Sequence, residues 1–459
     1  MSRKTLNLGI LAHVDAGKTT LTERLLFTSG VIDRPGSVDA GTTVTDSLPL
    51  ERRRGITIKS AVASFPIGEV DVNLIDTPGH PDFIAEVDRV LSVLDGVVLV
   101  VSAVEGVQPQ TRILMRSLER LRMPALFFVN KIDRTGARPA DVLDELSGRL
   151  EVAVIAMGRV EAAGSRGARF IAAAPDDPGF MASLTEPLAE RDDALLAAYL
   201  RDEAGVPYAR LRAALAAQTG RAQVHPVFFG SAITGAGVEQ LMAGIAELLP
   251  ASAGDADGSV SGSIFKIERG GSAEKIAFVR MFSGTVRIRD RLRFGAALES
   301  RVSAVAVFER GPAVRRPSVR AGQIAKLWGL AGARVGDPVG ELARGAAGGQ
   351  FPPPTLESAV VPCDPGDRQR LRAALGQLAE QDPLINLRQD DERQEIYVSL
   401  YGEVHKEVIG SVLAGDYGLA VTFRETTTIY IERPAGAASA VELLQSDDHP
   451  YSATVGLRV

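Results

Sequence analysis

The first 250 residues alternate short apolar runs with longer stretches in which apolar residues recur every three or four positions. The short runs are rich in β-branched residues, which is typical of strands buried in a parallel sheet. They are TLNLGILA, KSAVASF, VDVNLID, GVVLVVSA, PALFFVN and HPVFFG. The helical stretches include LTERLLFTSG, PDFIAEVDRVLSVL, TRILMRSLERL and GVEQLMAGIAELL. This alternation predicts a doubly wound α/β domain.

The pattern changes twice further along the chain. FVRMFSGTVRIRDRLRF, VSAVAVFER and QIAKLWGL are strand-like and are separated by glycine-containing turns, which predicts a small β-barrel. After it come ESAVVPC, DRQRLRAALGQLAEQ, LINLRQ, QEIYVSLY, a helix from about Glu403, and LAVTFRE. This β-α-β-β-α-β order predicts a ferredoxin-like α+β domain. The fold class is therefore multidomain α/β.

Two turn-rich segments divide these patterns, PASAGDADG at 250–258 and GAAGGQFPPP at 345–354. They indicate domains at 1–250, 259–344 and 355–430, followed by a tail at 431–459. Within the first domain, 97 residues separate Asp133 from Ser231, far more than one helix and one strand require. We therefore expect an inserted subdomain at about 151–220.

Composition narrows the class of protein. With 459 residues, 45% hydrophobic and 24% charged, the chain is neither disordered nor fibrous. The single cysteine, Cys363, excludes an internal disulfide framework and a cysteine-based zinc site, and we expect it to be a buried apolar residue. His13 and Asp15 interrupt the first apolar run, so it is a poor signal peptide, and no run approaches the length of a membrane helix.

The segment after the first predicted strand has the pattern of a P-loop, with alanine in place of the usual first glycine. Backbone N–H groups of such a loop and of the following helix cradle a polyphosphate. Lys18 is expected to reach the β/γ-phosphates, and the hydroxyl of Thr19 to bind Mg²⁺. The phosphate-binding residues predicted here are His13, Val14, Asp15, Ala16, Gly17, Lys18, Thr19 and Thr20.

Three further motifs follow the ends of later strands. Asp76 and Gly79 lie in DTPGH, where the aspartate can hold Mg²⁺ through water and the Gly79 N–H can approach the γ-phosphate. Asn130, Lys131 and Asp133 lie in NKID, where the Asp133 carboxylate can accept the two donors of guanine that adenine lacks. Ser231 and Ala232 follow HPVFFG, where a backbone N–H can meet the guanine carbonyl. Because ligands of open α/β sheets bind at the carboxyl ends of strands, the four motifs together predict a GTP site.

Two segments are placed to sense the γ-phosphate. The polar stretch 33–59 contains Thr57, a second hydroxyl for Mg²⁺ if the loop is ordered by the triphosphate, and 76–89 would be the second switch. His80 follows Gly79 directly. Three roles for it stay open: an exposed surface residue, orientation of the attacking water, or stabilisation of transition-state charge when protonated. The arginines at 52–54 are as compatible with a solvated charge run as with catalysis.

These motifs resemble those of the elongation factor G group of translational GTPases. The resemblance rests on AHVDAGKTTLTERLL, ERRRGITI, DTPGH, NKIDR and GEVH at 402–405. Within that group, GTTVTDSLPLERRRGITI, FIAEVDRVLSVLDG, GVQPQTRILMRSL and ETTTIYIERP are similar to the tetracycline-resistance ribosomal protection proteins. The resemblance covers essentially the whole chain. It implies that YIERP leads into a fourth domain, of which 431–459 would be only the start, with PYSATVGL as an unpartnered first strand, and that a fifth domain is lacking.

The resemblance also implies a function. Such a protein binds the ribosome in its GTP state, releases tetracycline, hydrolyses GTP to GDP with His80 activated on the ribosome, and leaves; Asn130 and Asp133 bind the base. It implies a cytoplasmic monomer with GTP/GDP and Mg²⁺ as cofactors, the ribosome as partner, and neither DNA nor membrane. Two alternatives remain: an elongation factor G-like translocase, and a truncated GTP-binding fragment with no ribosomal task of its own.

Charge gives a mixed indication about RNA. The net charge of −6 argues against a nucleic-acid partner. However, 43 of the 51 basic residues are arginine, and this excess is explained either by a need for phosphate contacts or by the codon usage of the genome. Ten arginines lie between Arg280 and Arg320 against three acidic residues. Those that alternate with apolar strand residues would form one barrel face, which is either a ribosomal RNA contact or a solvated surface. Trp328 is expected in barrel packing, Leu371 and Leu378 in a helix core, and His405 in a capping or an interface role.

Overall fold

The structure, a computed structural model, is described over most of the chain. The described residues are 3–36, 43, 51, 57–201, 206–270, 274–295, 298–341, 352–390, 395–430, 436–437, 439–442 and 455–458. The arginines at 52–54 and most of the 345–354 segment lie outside them. None of the helices in these ranges is both long and apolar enough to span a membrane.

The first domain is a twisted sheet with helices on its faces. In the described residues this sheet has seven strands in the order β2-β3-β1-β4-β5-β9-β6, and β7 pairs with β8 in a separate ribbon. The strands are β1 (Lys4–Ala12), β2 (Ala61–Ile67), β3 (Val70–Asp76), β4 (Gly96–Ser102), β5 (Ala125–Asn130), β6 (Val154–Ala156), β7 (Gly158–Glu161), β8 (Arg169–Ala172) and β9 (His225–Phe229). β4, β5 and β9 are buried along their whole length, as expected for central parallel strands.

The described residues of this domain contain eight helices, and the four predicted stretches correspond to the first three and the last of them. They are α1 (Lys18–Thr28), α2 (Ile84–Leu91), α3 (Pro109–Leu121), α4 (Pro139–Leu150), α5 (Pro178–Ala189), α6 (Asp193–Arg201), α7 (Tyr208–Thr219) and α8 (Val238–Leu248). Proline opens α3, α4 and α5, where its missing N–H costs no hydrogen bond. A short 3₁₀ turn, Pro81–Phe83, precedes α2.

One expectation for this sheet needs correction. The parallel arrangement is wrong for β2, which pairs antiparallel to β3 because the two residues between them, Gly68 and Glu69, are too few for a crossover. The insertion expected at about 151–220 contributes a strand to this sheet, since β6 pairs parallel with β9 at the edge. Three residues are too short a run to predict from the pattern of apolar positions. Leu184, Leu211 and other apolar residues of the insertion join the main hydrophobic core.

The second domain is an antiparallel β structure around one apolar core. In the described residues of 259–341, eight strands form one sheet in the order β14-β13-β19-β10-β11-β18-β15-β16, and β12 pairs with β17. Residues of β13, β10, β11, β18 and β15 share the core with residues of both ribbon strands, as in a β-barrel. The strands are β10 (Ser261–Arg269), β11 (Lys275–Ser283), β12 (Thr285–Arg287), β13 (Arg291–Phe294), β14 (Leu298–Arg301), β15 (Ala304–Phe308), β16 (Ala313–Arg316), β17 (Ser318–Arg320), β18 (Ile324–Trp328) and β19 (Pro338–Gly340).

The third domain has the predicted ferredoxin-like order. Its antiparallel sheet runs β21-β22-β20-β23, and a short strand, β24, also pairs with β20. The elements are β20 (Leu356–Pro362), α9 (Arg368–Gln381), β21 (Arg388–Asp390), β22 (Glu395–Leu400), α10 (Glu403–Tyr417), β23 (Val421–Phe423) and β24 (Thr427–Thr428). Leu371 and Leu378 are buried in its core, as predicted.

Two expectations near the end of the chain are wrong. Cys363 is exposed, because it follows β20 where the chain leaves the sheet for a turn. The last predicted strand does have a partner: β26 (Val455–Arg458) pairs antiparallel with β25 (Ser439–Glu442).

The first domain contacts both of the other domains, and the third domain packs on its switch segments. The side chain of Arg280 in the barrel is buried and donates to Asp95 of the first domain at 3.0 and 3.1 Å. Ile58 and Phe83 belong to the first domain by sequence but are buried in the core of the third. The third domain therefore packs directly on the residues that follow Thr57 and His80.

Candidate nucleotide-binding site

The predicted phosphate loop connects β1 to α1 at the carboxyl edge of the sheet. Asp15 and Gly17 have left-handed backbone conformations, with φ of 63° and 90°. A side chain at Gly17 would collide with the amide of Asn130, so glycine is required here both for φ and for space. The loop turns the N-terminus of α1 towards an open cleft of about 590 Å³.

This cleft brings the four predicted motifs together. It is lined by most of the residues proposed from sequence, which are His13, Val14, Asp15, Gly17, Lys18, Thr19, Thr20, Thr57, Gly79, His80, Asn130, Lys131, Asp133, Ser231 and Ala232. Ala16 and Asp76 do not line it. Ala16 is fully buried below the loop, and Asp76 is buried behind Lys18.

Lys18 is the centre of the phosphate end of the cleft. Its buried ammonium group donates to the Thr57 hydroxyl at 3.0 Å and forms an ion pair with the Asp76 carboxylate. The hydroxyls of Thr19 and Thr57 lie 3.1 Å apart. The side-chain oxygens of Thr19, Thr57 and Asp76 therefore lie close together beside Lys18. This set of oxygen ligands fits Mg²⁺, which prefers oxygen and keeps several bound waters.

The segment after β3 lies against the phosphate loop. The Thr77 hydroxyl donates to the Ile10 carbonyl at 2.8 Å, and the Gln110 side chain donates to the Gly79 carbonyl. The Nδ1 atom of His80 accepts a hydrogen bond of 3.2 Å from the Asp82 backbone N–H. In the neutral ring the proton is therefore on Nε2, and the half-buried side chain lines the cleft.

Asn130 ties the two ends of the cleft together. Its amide donates to the Ala16 carbonyl at 2.8 Å, and its Oδ1 accepts from the Ala232 N–H at 2.9 Å. The Ser231 N–H donates to the Ala236 carbonyl. The N–H groups of Ser231 and Ala232, predicted to meet the guanine carbonyl, therefore both donate to acceptors within the protein. A bound base would have to share the Ala232 N–H with Asn130. Asp133 stands at the same end of the cleft.

The imidazole of His13 is buried at the other side of the loop. Its Nδ1 lies 3.2 Å from the Thr111 hydroxyl and its Nε2 lies 3.2 Å from Glu105 Oε2. Burial lowers the pKa of His13, although the hydrogen bond to Glu105 acts in the opposite direction. The phosphate loop therefore contains a neutral histidine at neutral pH.

Comparison with known proteins agrees with this geometry. Residues 3–251 match the family described as the Elongation factor Tu GTP binding domain, and residues 351–425 match Elongation Factor G, domain III. The chain belongs to the elongation factor G-like translational GTPases. This GTPase is 53% identical over 456 residues to the oxytetracycline resistance protein of Streptomyces rimosus, an alignment that covers 97% of this chain and 69% of the relative.

Other relatives give the same assignment. The GTPase is 45% identical over 473 residues to the tetracycline resistance protein TetM of Streptomyces lividans, covering 99% of this chain and 72% of the relative. A solved structure from Thermus thermophilus superposes with a TM-score of 0.81 at 25% identity, covering 100% of this chain and 73% of that one. The GTPase therefore falls in the group of the tetracycline resistance proteins, binds guanine nucleotide and hydrolyses GTP.

Sequence reasoning missed several residues that line the nucleotide cleft of this GTPase. Arg24 of α1 donates from Nε to the Ala232 carbonyl at 2.8 Å and also to the Ile233 carbonyl, and so holds the loop after β9. Glu105 contacts both His13 and Lys131. Arg24 lies within AHVDAGKTTLTERLL and Glu105 lies in none of the motifs, but the partners of both are distant in sequence, so no local signal indicates these contacts. The others are Pro35, Gly36, Arg134 and Ile233.

Proposed function

We propose that this GTPase binds the ribosome in its GTP state, promotes release of tetracycline, and then hydrolyses GTP to GDP and dissociates. The observation that carries the proposal is the 53% identity, along nearly the whole chain, to a protein named for oxytetracycline resistance. The nucleotide cleft in the first domain, with a β-barrel and a ferredoxin-like domain after it, is consistent with this proposal. We also propose a cytoplasmic monomer.

The roles of the site residues follow from their positions. Lys18 binds the β/γ-phosphates, and Thr19, Thr57 and Asp76 hold Mg²⁺, which neutralises phosphate charge when bound. The Thr57 hydroxyl lies within hydrogen-bond distance of Lys18 and Thr19, so a triphosphate and its Mg²⁺ would hold Thr57 in the cleft, and loss of the γ-phosphate would weaken that hold. Asp133 selects guanine, with Asn130 fixing the loops on either side.

His80 is the residue we assign to hydrolysis. Its ring lines the cleft next to Gly79, and its Nδ1 is held by the Asp82 N–H. The remaining ring nitrogen, Nε2, can then face a water beside the γ-phosphate. His80 could orient that water or stabilise the charge of the transition state. In this proposal, His80 takes up the position needed for either role only when the protein is bound to the ribosome.

The arginine-rich face of the barrel supplies a surface for ribosomal RNA. Arg291 and Arg293 of β13 are exposed while Leu292 and Phe294 are buried, as the alternation predicted. Arg280 is an exception, because it is buried against the first domain. We propose that Arg287 and its exposed neighbours contact the RNA backbone. Charge reversal of Arg287 and Arg289 should lower ribosome affinity most at low salt; unchanged affinity at several salt concentrations would overturn this contact.

The test of the main proposal measures GTP hydrolysis with and without 70S ribosomes, together with release of tetracycline from drug-bound ribosomes. We expect stimulated hydrolysis and accelerated release. His80→Ala should lose the stimulated rate and retain nucleotide binding. Hydrolysis that does not depend on ribosomes, with no release of drug, would contradict the proposal and favour a GTP-binding fragment. Stimulated tRNA–mRNA movement without release would favour a translocase.

A further inference from the structure

Glu105 joins the two ends of the nucleotide cleft through a single carboxylate. Its Oε2 lies 3.2 Å from His13 Nε2 in the phosphate loop, and its Oε1 lies 3.4 Å from the ammonium group of Lys131 in the base-binding motif. The Glu105 side chain is 40% exposed, whereas those of His13 and Lys131 are 4% and 12% exposed. The carboxylate therefore reaches inward from the rim of the cleft.

The loop that carries Glu105 is held rigidly. The Ser102 hydroxyl accepts from the Glu105 N–H at 3.2 Å, and the Gln108 side chain donates to the Glu105 carbonyl at 2.8 Å. On the far side of the loop, the Val107 N–H donates to Glu145 at 2.9 Å. Because the backbone is fixed at these points, the carboxylate has a defined position between its two partners.

The hydrogen-bonding chemistry makes the arrangement directional. An ionised carboxylate only accepts hydrogen bonds, so neutral His13 must carry its proton on Nε2. Its Nδ1 then accepts a hydrogen bond from the Thr111 hydroxyl. The same carboxylate pairs with the charge of Lys131, whose backbone is left-handed with a φ of 67°. One side chain thus orients the imidazole in the phosphate loop and the side chain of Lys131 in the NKID motif.

We propose that Glu105 is a positioning residue for guanine nucleotide, which slows nucleotide dissociation by holding the phosphate loop and the NKID motif in register. The inference rests on the proposed assignment of this cleft as the nucleotide site. Glu105 contacts neither Thr57 nor His80 in the described contacts, so it should act equally on GDP and GTP.

The test uses the whole chain and a fluorescently labelled GDP, whose dissociation is followed after adding excess unlabelled GDP. We expect Glu105→Ala to accelerate dissociation about fivefold and Glu105→Gln, which keeps the shape but not the charge, by less. GTP should give the same ratios. Glu119→Ala, which removes an exposed carboxylate on α3 outside the cleft, is the matched control and should not change the rate.

A double-mutant cycle separates positioning from a general effect on folding. If Glu105 acts through Lys131, the effect of Glu105→Ala must shrink in a Lys131→Ala background. Wild-type rates for both Glu105 variants, or an equal effect of Glu105→Ala in both backgrounds, would overturn the inference. Failure of the wild-type chain to bind labelled GDP would instead overturn the assignment of the cleft, and the inference with it.

Discussion

The carboxylate of Asp82 caps a helix in a different domain, because its Oδ2 accepts the backbone N–H of His405 at 3.2 Å. It also accepts the N–H of Val404 at 3.0 Å, so it lies at the positive end of α10. A side chain on Gly402 would overlap the same carboxylate. Since the Asp82 N–H donates to His80, the residue that holds the third domain also holds the residue assigned to hydrolysis.

We therefore expect Asp82→Ala to weaken the contact between the first and third domains. Losing a helix cap should lower the free energy of unfolding by about 1 kcal/mol, measured by urea denaturation. Ribosome-stimulated hydrolysis should fall, while GDP affinity stays unchanged. Asp364→Ala is the control, since Asp364 caps a turn inside the third domain only. Equal hydrolysis rates for both variants would show that the domain contact made by the Asp82 carboxylate does not influence hydrolysis.

The ion pair between Arg89 and Asp382 is a second link between these domains. Burial raises the pKa of Asp382, but the charge of Arg89 and the contact with His405 outweigh it, so the pKa is well below its ordinary value. Removing the partner of a buried charge is costly, so Arg89→Met should lower the free energy of unfolding by about 3 kcal/mol. Arg370→Met, which breaks an exposed pair with Asp367, should cost about 1 kcal/mol or less. Similar losses for the two variants would show that burial does not strengthen the Arg89 pair.

Two buried histidines predict a stability that decreases in acid. Burial lowers the pKa of His13 and of His225 below the ordinary value of 6.5, so the unfolded chain binds more protons than the folded one in this range. Stability is then complete above about pH 6.5 and is lost as the pH falls towards the folded-state pKa values. Urea denaturation between pH 7.5 and 5.5 measures this. His225→Asn, which retains a donor for the Ala125 carbonyl, should make the dependence shallower; an unchanged slope would rule His225 out as a cause.

Base recognition by Asp133 predicts a defined change of nucleotide. The wild type should prefer GTP to ATP strongly, because adenine lacks the two donors that the carboxylate accepts. Asp133→Asn should lose about 2–4 kcal/mol of GTP binding and gain affinity for xanthosine triphosphate, whose C2 carbonyl can accept from the new amide. Competition against labelled GDP measures each affinity. Equal wild-type affinity for GTP and ATP would contradict the role of Asp133.

The order of elements was largely predictable from the chain. The apolar runs located β1, β3, β4, β5 and β9, and the β-α-β-β-α-β pattern of the third domain is confirmed. Local patterns succeed here because each of these elements is long enough to bury one continuous apolar face. They fail for β6, which has three residues, and for Cys363, whose exposure depends on where the chain leaves the sheet.

The nucleotide motifs were also evident in the sequence, because polyphosphate and guanine demand particular residues at fixed spacings after a strand. Lys18, Thr19, Gly79 and Asp133 could therefore be named without a structure. Only the tertiary structure decided which side chains support them. Asp82 reaches α10, Arg89 reaches Asp382, and Glu105 reaches His13 and Lys131, over 26 to 323 residues of sequence. Contacts that distant depend on how strands, helices and domains pack and not on any local pattern.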